Sequence, residues 1–411
     1  MNFFIKLLLL QCVWASVGAI SNTKINFIIL YYSDHGFSPL FQLFLVTTGY
    51  NLDMDFTIVS NLNELPTSSW LKTSNVHLKT LSYDELNTRI FAKLNRDISK
   101  PITAKTAYKL VDFKPMFGYL FPDLIKNYDF WGHIDQDTIL SKLRCNEFIS
   151  DDLLNNNDII SATNSMCNGP LQIYRNTEYI NQLYSESKDL PFVINATMNT
   201  GFTESHGIMK IPFPVAIRRA YIKERLNWNH TLNSFLEDRY YFRRGAEPKM
   251  VWSPKYRLRL RWNSTGFYEE ELPIGAGMNL GFDEQPDVKG QVIGFFHLIS
   301  WKYLQGYKNL DETTLQLIKE FIKNPSIDND ITILISCHGI LAGRKGEELN
   351  LLESSTAAKC SFSKDNAHFY RIGKKPACLG GPDGYENMHR FRSMNKKDGK
   401  KKRKRKRKND D

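Results

Sequence analysis

Beyond its first nineteen residues, the chain has no stretch long and apolar enough to cross a bilayer, which takes roughly 20 apolar residues. It also has no internal repeat, so solenoid and propeller architectures are set aside. Cysteine is sparse, with six in 411 residues and none at the short paired spacing of a zinc site. Cys12 falls in the leader described below. Cys145, Cys167, Cys337, Cys360 and Cys378 then allow at most two intrachain bridges. The body of the chain is nearly neutral as well. The formal net charge is +10, but residues 396–411 hold eleven Lys/Arg against three Asp, which leaves only about +2 elsewhere. The basic balance therefore describes a tail, and no nucleic-acid partner is expected of the folded part.

Hydrophobic residues make up 42% of the chain and aromatic residues 13%, enough for a sizeable core, so disorder is not the expectation. The N-terminus reads as a secretory signal. An apolar run from Phe3 to Leu10 carries a single Lys6 and continues to Trp14, and Val17-Gly18-Ala19 supplies small residues for cleavage after Ala19. Three sequons, at Asn195, Asn229 and Asn263, suit the same route. The expected location is the Golgi or ER lumen, or the cell exterior, with no membrane span once the signal is cleaved. The expected layout is a signal over 1–19, one catalytic domain over 20–325, an extension over 326–395 and a disordered basic tail over 396–411. In such a compartment the tail would contact polyanions or act as a solubilising end.

Short apolar runs at Ile25–Leu30, Asp55–Ser60, Val76–Leu81, Asp129–Ile134, Asp158–Ala162 and Leu171–Tyr174 predict buried strands. Between them lie helical stretches. One covers Leu40–Val46. Another opens on a Ser82/Glu85 capping box and carries Leu86, Ile90, Phe91 and Leu94 at helical spacing. A third is expected over Phe113–Lys126, with Pro115 in its first turn. This alternation predicts a doubly wound α/β domain. From about residue 177 to 290 the pattern loosens into the natural place for acceptor recognition. Further strands are expected at Val292–Leu298 and Ile331–Ser336, with a helix around Leu315, Ile318, Phe321 and Ile322 between them.

Open α/β sheets bind ligands off the carboxyl ends of their strands. Three Asp-x-Asp pairs are present. Asp53/Asp55 and Asp328/Asp330 precede predicted strands, and only Asp135/Asp137 follows one. In extended backbone residues i and i+2 share a face, so these two carboxylates can address one cation. Two hard oxygen ligands suit Mg²⁺ or Mn²⁺ while leaving coordination positions for phosphate oxygens. The bland alternative is a solvated turn or a helix cap.

Two longer motifs surround this pair. Tyr108-Lys-Leu-Val-Asp-Phe-Lys-Pro-Met-Phe-Gly-Tyr119, followed by Tyr128-Asp-Phe-Trp-Gly-His-Ile-Asp-Gln-Asp137, resembles the signature of a largely bacterial family of GT-A-like glycosyltransferases. That family reads K-L-C-D-F-K-P-A-x-G and then Y-D-F-W-G-x-x-D-x-D. Asn168–Asn176 is similar to its G-x-x-x-L-Y-R-N, and Phe296–Lys302 to its H-F-Q-x-W-K, so the likeness spans roughly residues 24 to 305. Val111 stands where the family has Cys, and the leader, sequons and tail are not features of its bacterial members. The resemblance implies a GT-A-like fold with a doubly wound mixed sheet. It also implies a metal-dependent hexosyl-type transferase that uses a nucleotide-sugar co-substrate and a glycan, protein or lipid acceptor. A non-catalytic secreted protein, binding glycans or polyanions on a degenerate scaffold of this type, is the alternative.

The resemblance assigns Asp135 and Asp137 to the metal, with His297 as third ligand. Asp112 would bond the base or ribose, and Lys114 and Lys302 would meet the diphosphate. Gly169 would let the backbone approach the donor sugar. The blander roles are a helix-terminal acid for Asp112, surface lysines for Lys114 and Lys302, and a core or edge residue for His297. Arg175 fits a structural ion pair equally well, and Trp131 and Trp301 read as core. Glu204, Glu237 and Asp238 are the unassigned carboxylates of the variable half.

Overall fold

The computed structural model describes residues 23–49, 51–65, 74–145, 148–162, 170–203 and 213–229. It also describes shorter segments at 235–237, 243–244, 250–251, 257–263, 266–271, 295–297, 312–323, 331–336 and 339–344. The leader, the tail, four of the cysteines other than Cys12, and Asp328/Asp330 lie outside them.

Seven strands form the main sheet. They are β1 (Ile25–Tyr31), β2 (Asp55–Ser60), β3 (Val76–Thr80), β4 (Phe130–Ile134), β6 (Ile159–Ser161), β7 (Leu171–Arg175) and β8 (Trp228–Asn229), and β5 (Thr138–Leu140) follows β4 outside this sheet. Their order is β3-β2-β1-β4-β7-β6-β8. The first three pairings, which join β3, β2, β1 and β4, are parallel. β7 runs antiparallel to both β4 and β6, and β8 is parallel to β6. The sheet is thus mixed and the class is α/β.

Period-two alternation sends successive side chains to opposite faces, and each face has its own core. Phe27, Ile29, Phe56, Ile58, Phe130 and Ile134 pack with helix α1 (Pro39–Thr48). Ile28, Val59 and Trp131 pack on the other side with α2 (Tyr83–Leu94) and with a 3₁₀ segment, Ala104–Met116. Helices therefore cover both faces. α1 starts at Ser38, whose hydroxyl accepts from Phe41 N, and Pro39 sits in its first turn, where a missing N–H costs nothing. The expected capping box at α2 is present in full, with Ser82 and Glu85 bonding reciprocally.

The helix expected over Phe113–Lys126 takes a different form. The 3₁₀ segment runs to Met116, followed by two single-turn helices, α3 (Phe117–Leu120) and α4 (Pro122–Ile125). Pro115 lies in the last turn of the 3₁₀ segment rather than in the first turn of a helix. Proline removes a donor and crowds the preceding turn, so an α-helix cannot pass through Pro115. Pro122 likewise pushes Phe121 out of helical geometry, to φ −123° and ψ 55°. These breaks keep the segment tight against the sheet, with Phe113, Met116 and Leu120 fully buried.

Helices α5 (Asp151–Asn156), α6 (Glu178–Gln182), α7 (Leu190–Asn195) and α8 (Phe213–Ile222) complete the framework. Strands β9 (Phe235–Glu237) and β14 (Phe295–His297) join β5 in a small sheet, and β10 (Arg243–Arg244) pairs with β11 (Met250–Val251). A four-stranded antiparallel sheet is built from β12 (Arg257–Asn263), β13 (Gly266–Glu271), β15 (Ile331–Ser336) and β16 (Gly339–Arg344). In it β15, from the expected extension, pairs directly with β12. Helix α9 (Glu312–Lys323) places Leu315 and Ile318 in the core shared with α1.

One glycine matters to the site. Gly132 sits mid-β4 opposite Phe27 of β1, and an added Cβ would stand 2.7 Å from the Gln172 carbonyl oxygen and 2.8 Å from the Phe27 ring. Backbone cannot yield as a side-chain tip does. Gly132→Ala is expected to lower unfolding stability by about 1–3 kcal/mol, read as a fall in the urea midpoint with an unchanged slope.

Candidate active site at the β1–β4 switch point

β1 leads to β2 on one side, while β4 lies on its other side, so strand order reverses between β1 and β4. The crevice at such a reversal, off the carboxyl ends of the strands, is the ligand position of open α/β sheets. β4 delivers Asp135 there, and Gln136–Asp137 turn at once into β5. The pair thus rides on a turn rather than on extended backbone. Gln136 is exposed, whereas Asp137 is 4% exposed and Asp135 is partly withdrawn from solvent. The turn is pinned twice. Asp135 N donates to the Pro170 carbonyl at 2.7 Å, and the Thr138 hydroxyl donates to the Asp135 carbonyl at 2.7 Å.

The 3₁₀ segment brings in the counter-charge. Lys114, 8% exposed, forms an ion pair with Asp135 Oδ1. Two further contacts hold the segment that carries it. Lys109 and Asp112 form a fully buried ion pair at 2.6 Å, and Lys109 Nζ also donates to the Val193 carbonyl at 2.6 Å. Asp112 accepts from Thr200 N at 2.7 Å, Thr200 Oγ1 at 3.0 Å and Phe202 N at 2.9 Å. The Asp112 carboxylate, which the resemblance places on the nucleoside, is therefore engaged inside the protein. It ties the 3₁₀ segment to the 199–203 loop.

His297 is placed by backbone register alone. β14 runs antiparallel to β5, and His297 lies opposite Thr138, the residue after Asp137. Gly169 and Lys302 lie outside the described residues. The pair Asp53/Asp55 stands at the amino end of β2, and Asp55 is held by Tyr128 Oη at 2.7 Å and His77 Nε2 at 3.1 Å. Arg175 bonds Asp158 at 2.9 Å and three carbonyls of the 154–157 turn, which is a structural role. Trp131 is fully buried, stacked on Tyr174 and donating to Asn181.

Two groups near the site escaped the motif argument. His133 shares a face of β4 with Trp131 by strand alternation, and neither ring nitrogen has a hydrogen-bond partner among the described residues. Tyr32, just past β1, has a buried hydroxyl in the same condition, and its ring lies 5.0 Å from that of Tyr83. Burial raises the Tyr32 phenol well above its usual range, so it stays neutral. Its position in β4, two residues before Asp135, was the available signal for His133.

Burial pushes the His133 imidazole well below its ordinary pKa, and the nearby Lys114 charge adds to this. Unfolded histidine takes a proton near pH 6.5, and the folded residue does so only at lower pH. The stability that depends on neutral His133 is therefore complete above about pH 6.5 and declines as pH falls below it. Urea midpoints should drop between pH 7.5 and 5.5, and His133→Leu should remove up to about 1.4 kcal/mol per pH unit of that slope. An identical slope in the variant would assign the acid sensitivity elsewhere.

No curated protein matches the chain in sequence. Among solved structures, mouse xyloside xylosyltransferase 1 in its apo form is similar at 10% identity and a TM-score of 0.32, over 52% of this chain and 88% of that one. The apo bifunctional glycosyltransferase WbbM aligns at 11% identity and a TM-score of 0.27, over 54% of this chain and 41% of its own length. The glycosyltransferase GlyE of Streptococcus pneumoniae TIGR4 aligns at 10% identity and a TM-score of 0.24, over 53% of this chain and 68% of that one. The family model of DUF6625, described as a family of unknown function, matches residues 27–273, more than half of the chain, and the chain belongs to that family.

Proposed function

We propose that the chain is a metal-dependent glycosyltransferase that moves a monosaccharide from a nucleotide-sugar to a hydroxyl of a glycan, protein or lipid. One observation carries this: the Asp135/Asp137 turn stands at the carboxyl end of β4, at the sheet's switch point, with Lys114 against Asp135. The motif resemblance of residues 108–137 supports it.

The residues fit a hard divalent cation. Two carboxylates on one turn are oxygen donors of the kind Mg²⁺ or Mn²⁺ prefers. Two carboxylates leave coordination positions for diphosphate oxygens and, on the resemblance, for His297. When bound, the cation would offset the charge that grows on the departing nucleoside diphosphate. Asp135 and Asp137 would hold it, and the Pro170 and Thr138 bonds fix their turn. Lys114 would add a second positive charge on the leaving-group side. The buried Lys109–Asp112 pair would set the height of Lys114 above the sheet. Gly169 and Lys302 are proposed donor contacts on the resemblance alone.

The leader and sequons support a place in the secretory pathway or outside the cell, where the basic tail would meet polyanions. Among the described residues no helix is long and apolar enough to cross a membrane.

Purified protein should be incubated with a panel of nucleotide-sugars, with Mn²⁺ or with EDTA, and free nucleotide followed. Transferases commonly leak donor to water, so no acceptor is needed. The expected result is turnover of one donor that EDTA stops. Binding and turnover of no donor at all would overturn the proposal.

A further inference from the structure

We infer that Lys114 is a built-in counter-ion that closes the Asp135 site to a free divalent cation. A nucleoside diphosphate opens the site by drawing Lys114 away, so cation and diphosphate bind as a pair. This rests on the proposed metal-dependent reading of the site and specifies how that site is filled.

The geometry requires the exchange. Lys114 Nζ is paired with Oδ1 of Asp135, one of the two carboxylates proposed to hold the cation. A divalent ion approaching that carboxylate meets a like charge within a few ångströms. Both groups are largely shielded, the side chains being 10% and 21% exposed, so water screens the repulsion poorly. The backbone of Lys114 cannot retreat to relieve it. Asp112 and Lys109 anchor the preceding turn to the 199–203 loop and to Val193, and Pro115 fixes the next φ. Asp135 is equally fixed, with its N–H on Pro170 and its carbonyl bonded by Thr138. Only the flexible end of the lysine can move, and it moves where a stronger anion calls it.

A diphosphate is that anion. It offers several oxygens with more than one negative charge, enough to take the Lys114 ammonium and to ligate a cation at once. Transfer of the lysine from carboxylate to phosphate leaves Asp135 free for the metal and replaces a repulsion with a shared ligand. Linkage then makes the effect mutual: diphosphate raises cation affinity by the same factor as the cation raises diphosphate affinity. A pair that serves only to stabilise the fold would show no such coupling.

Mn²⁺ binding to the full chain tests this, followed by loss of the free-ion electron paramagnetic resonance signal. The titration is run with Mn²⁺ alone and with UDP, GDP, ADP or CDP each present. The wild type should bind Mn²⁺ alone weakly, and at least tenfold more tightly with the diphosphate it accepts. Lys114→Met should bind Mn²⁺ alone at least tenfold more tightly than the wild type and lose most of the coupling. Lys114→Arg, which keeps the charge, should behave as the wild type, and this guards against a folding defect in the Met variant. If the wild type shows the coupling and Lys114→Met has unchanged affinity for Mn²⁺ alone, the counter-ion role is overturned and the metal site stands. If no protein binds Mn²⁺ with any diphosphate, the metal-dependent reading fails and takes this inference with it.

Discussion

Asp137→Ala is expected to reduce donor turnover by about 10³-fold or more, which corresponds to about 4 kcal/mol of lost transition-state stabilisation. Asp137 is nearly buried on the turn between β4 and β5 and brings a second carboxylate beside Asp135. Removal leaves a single carboxylate that is already paired with Lys114, too little to retain a hard cation against water. The loss should fall on nucleotide release in the presence of saturating Mn²⁺, and EDTA should have little further effect on the residue of activity. Asp53→Asn provides the contrast. Asp53 belongs to an acidic pair of the same spacing at the amino end of β2, the wrong edge of the sheet for a ligand. Its turnover should stay within about twofold of the wild type, since a distant surface change leaves the site's charges in place. Equal turnover in Asp137→Ala and the wild type would remove the metal assignment.

The contrast between the two acidic pairs shows what could be read without coordinates. β1, β2 and β4 are short, largely apolar and bounded by polar turns, and their burial on both faces leaves that imprint in the chain. The α2 start was equally legible, because a capping box is a local pattern. Placement of Asp135 at the carboxyl edge of the sheet needed only the order of strand and motif.

What could not be read is nonlocal. Whether β7 runs parallel or antiparallel to β4 leaves no mark in Leu171–Arg175, because both settings bury the same side chains. β5 is three residues long, and its identity as a strand depends on a partner, β14, that lies far along the chain. The α-helix expected over Phe113–Lys126 is replaced by the end of a 3₁₀ segment and two single turns, broken at Pro115 and Pro122. Lys114 and Asp135 lie 21 positions apart, and packing decides that they meet. The oxygens of Asp112 are taken by donors 88 to 90 residues later, so its resemblance to a nucleoside contact could not be weighed from sequence.

Asp112→Ala should therefore act first on folding, with a loss of about 3–5 kcal/mol. This is the range found when one partner of a buried ion pair is removed and the other stays. The Lys109 ammonium would remain fully buried, holding only the Val193 carbonyl, and the Thr200 and Phe202 donors would lose their acceptor. Chemical unfolding of the full chain should show the drop. A double replacement, Lys109→Met with Asp112→Leu, should recover the part due to the buried charge, since two apolar side chains of similar size leave none to solvate, while the Thr200 and Phe202 donors stay without their acceptor. A residue that touches the nucleoside would behave differently. Its loss would leave the unfolding curve in place and raise KM for one base more than for another. If Asp112→Ala unfolds at the wild-type midpoint and shifts base preference, the carboxylate faces the ligand after all. The expected result is the reverse: a large stability loss, and in the rescued double variant an unchanged base preference with a lower kcat. Asp112 then acts through the position it gives Lys114, as a positioning residue one layer behind the chemistry.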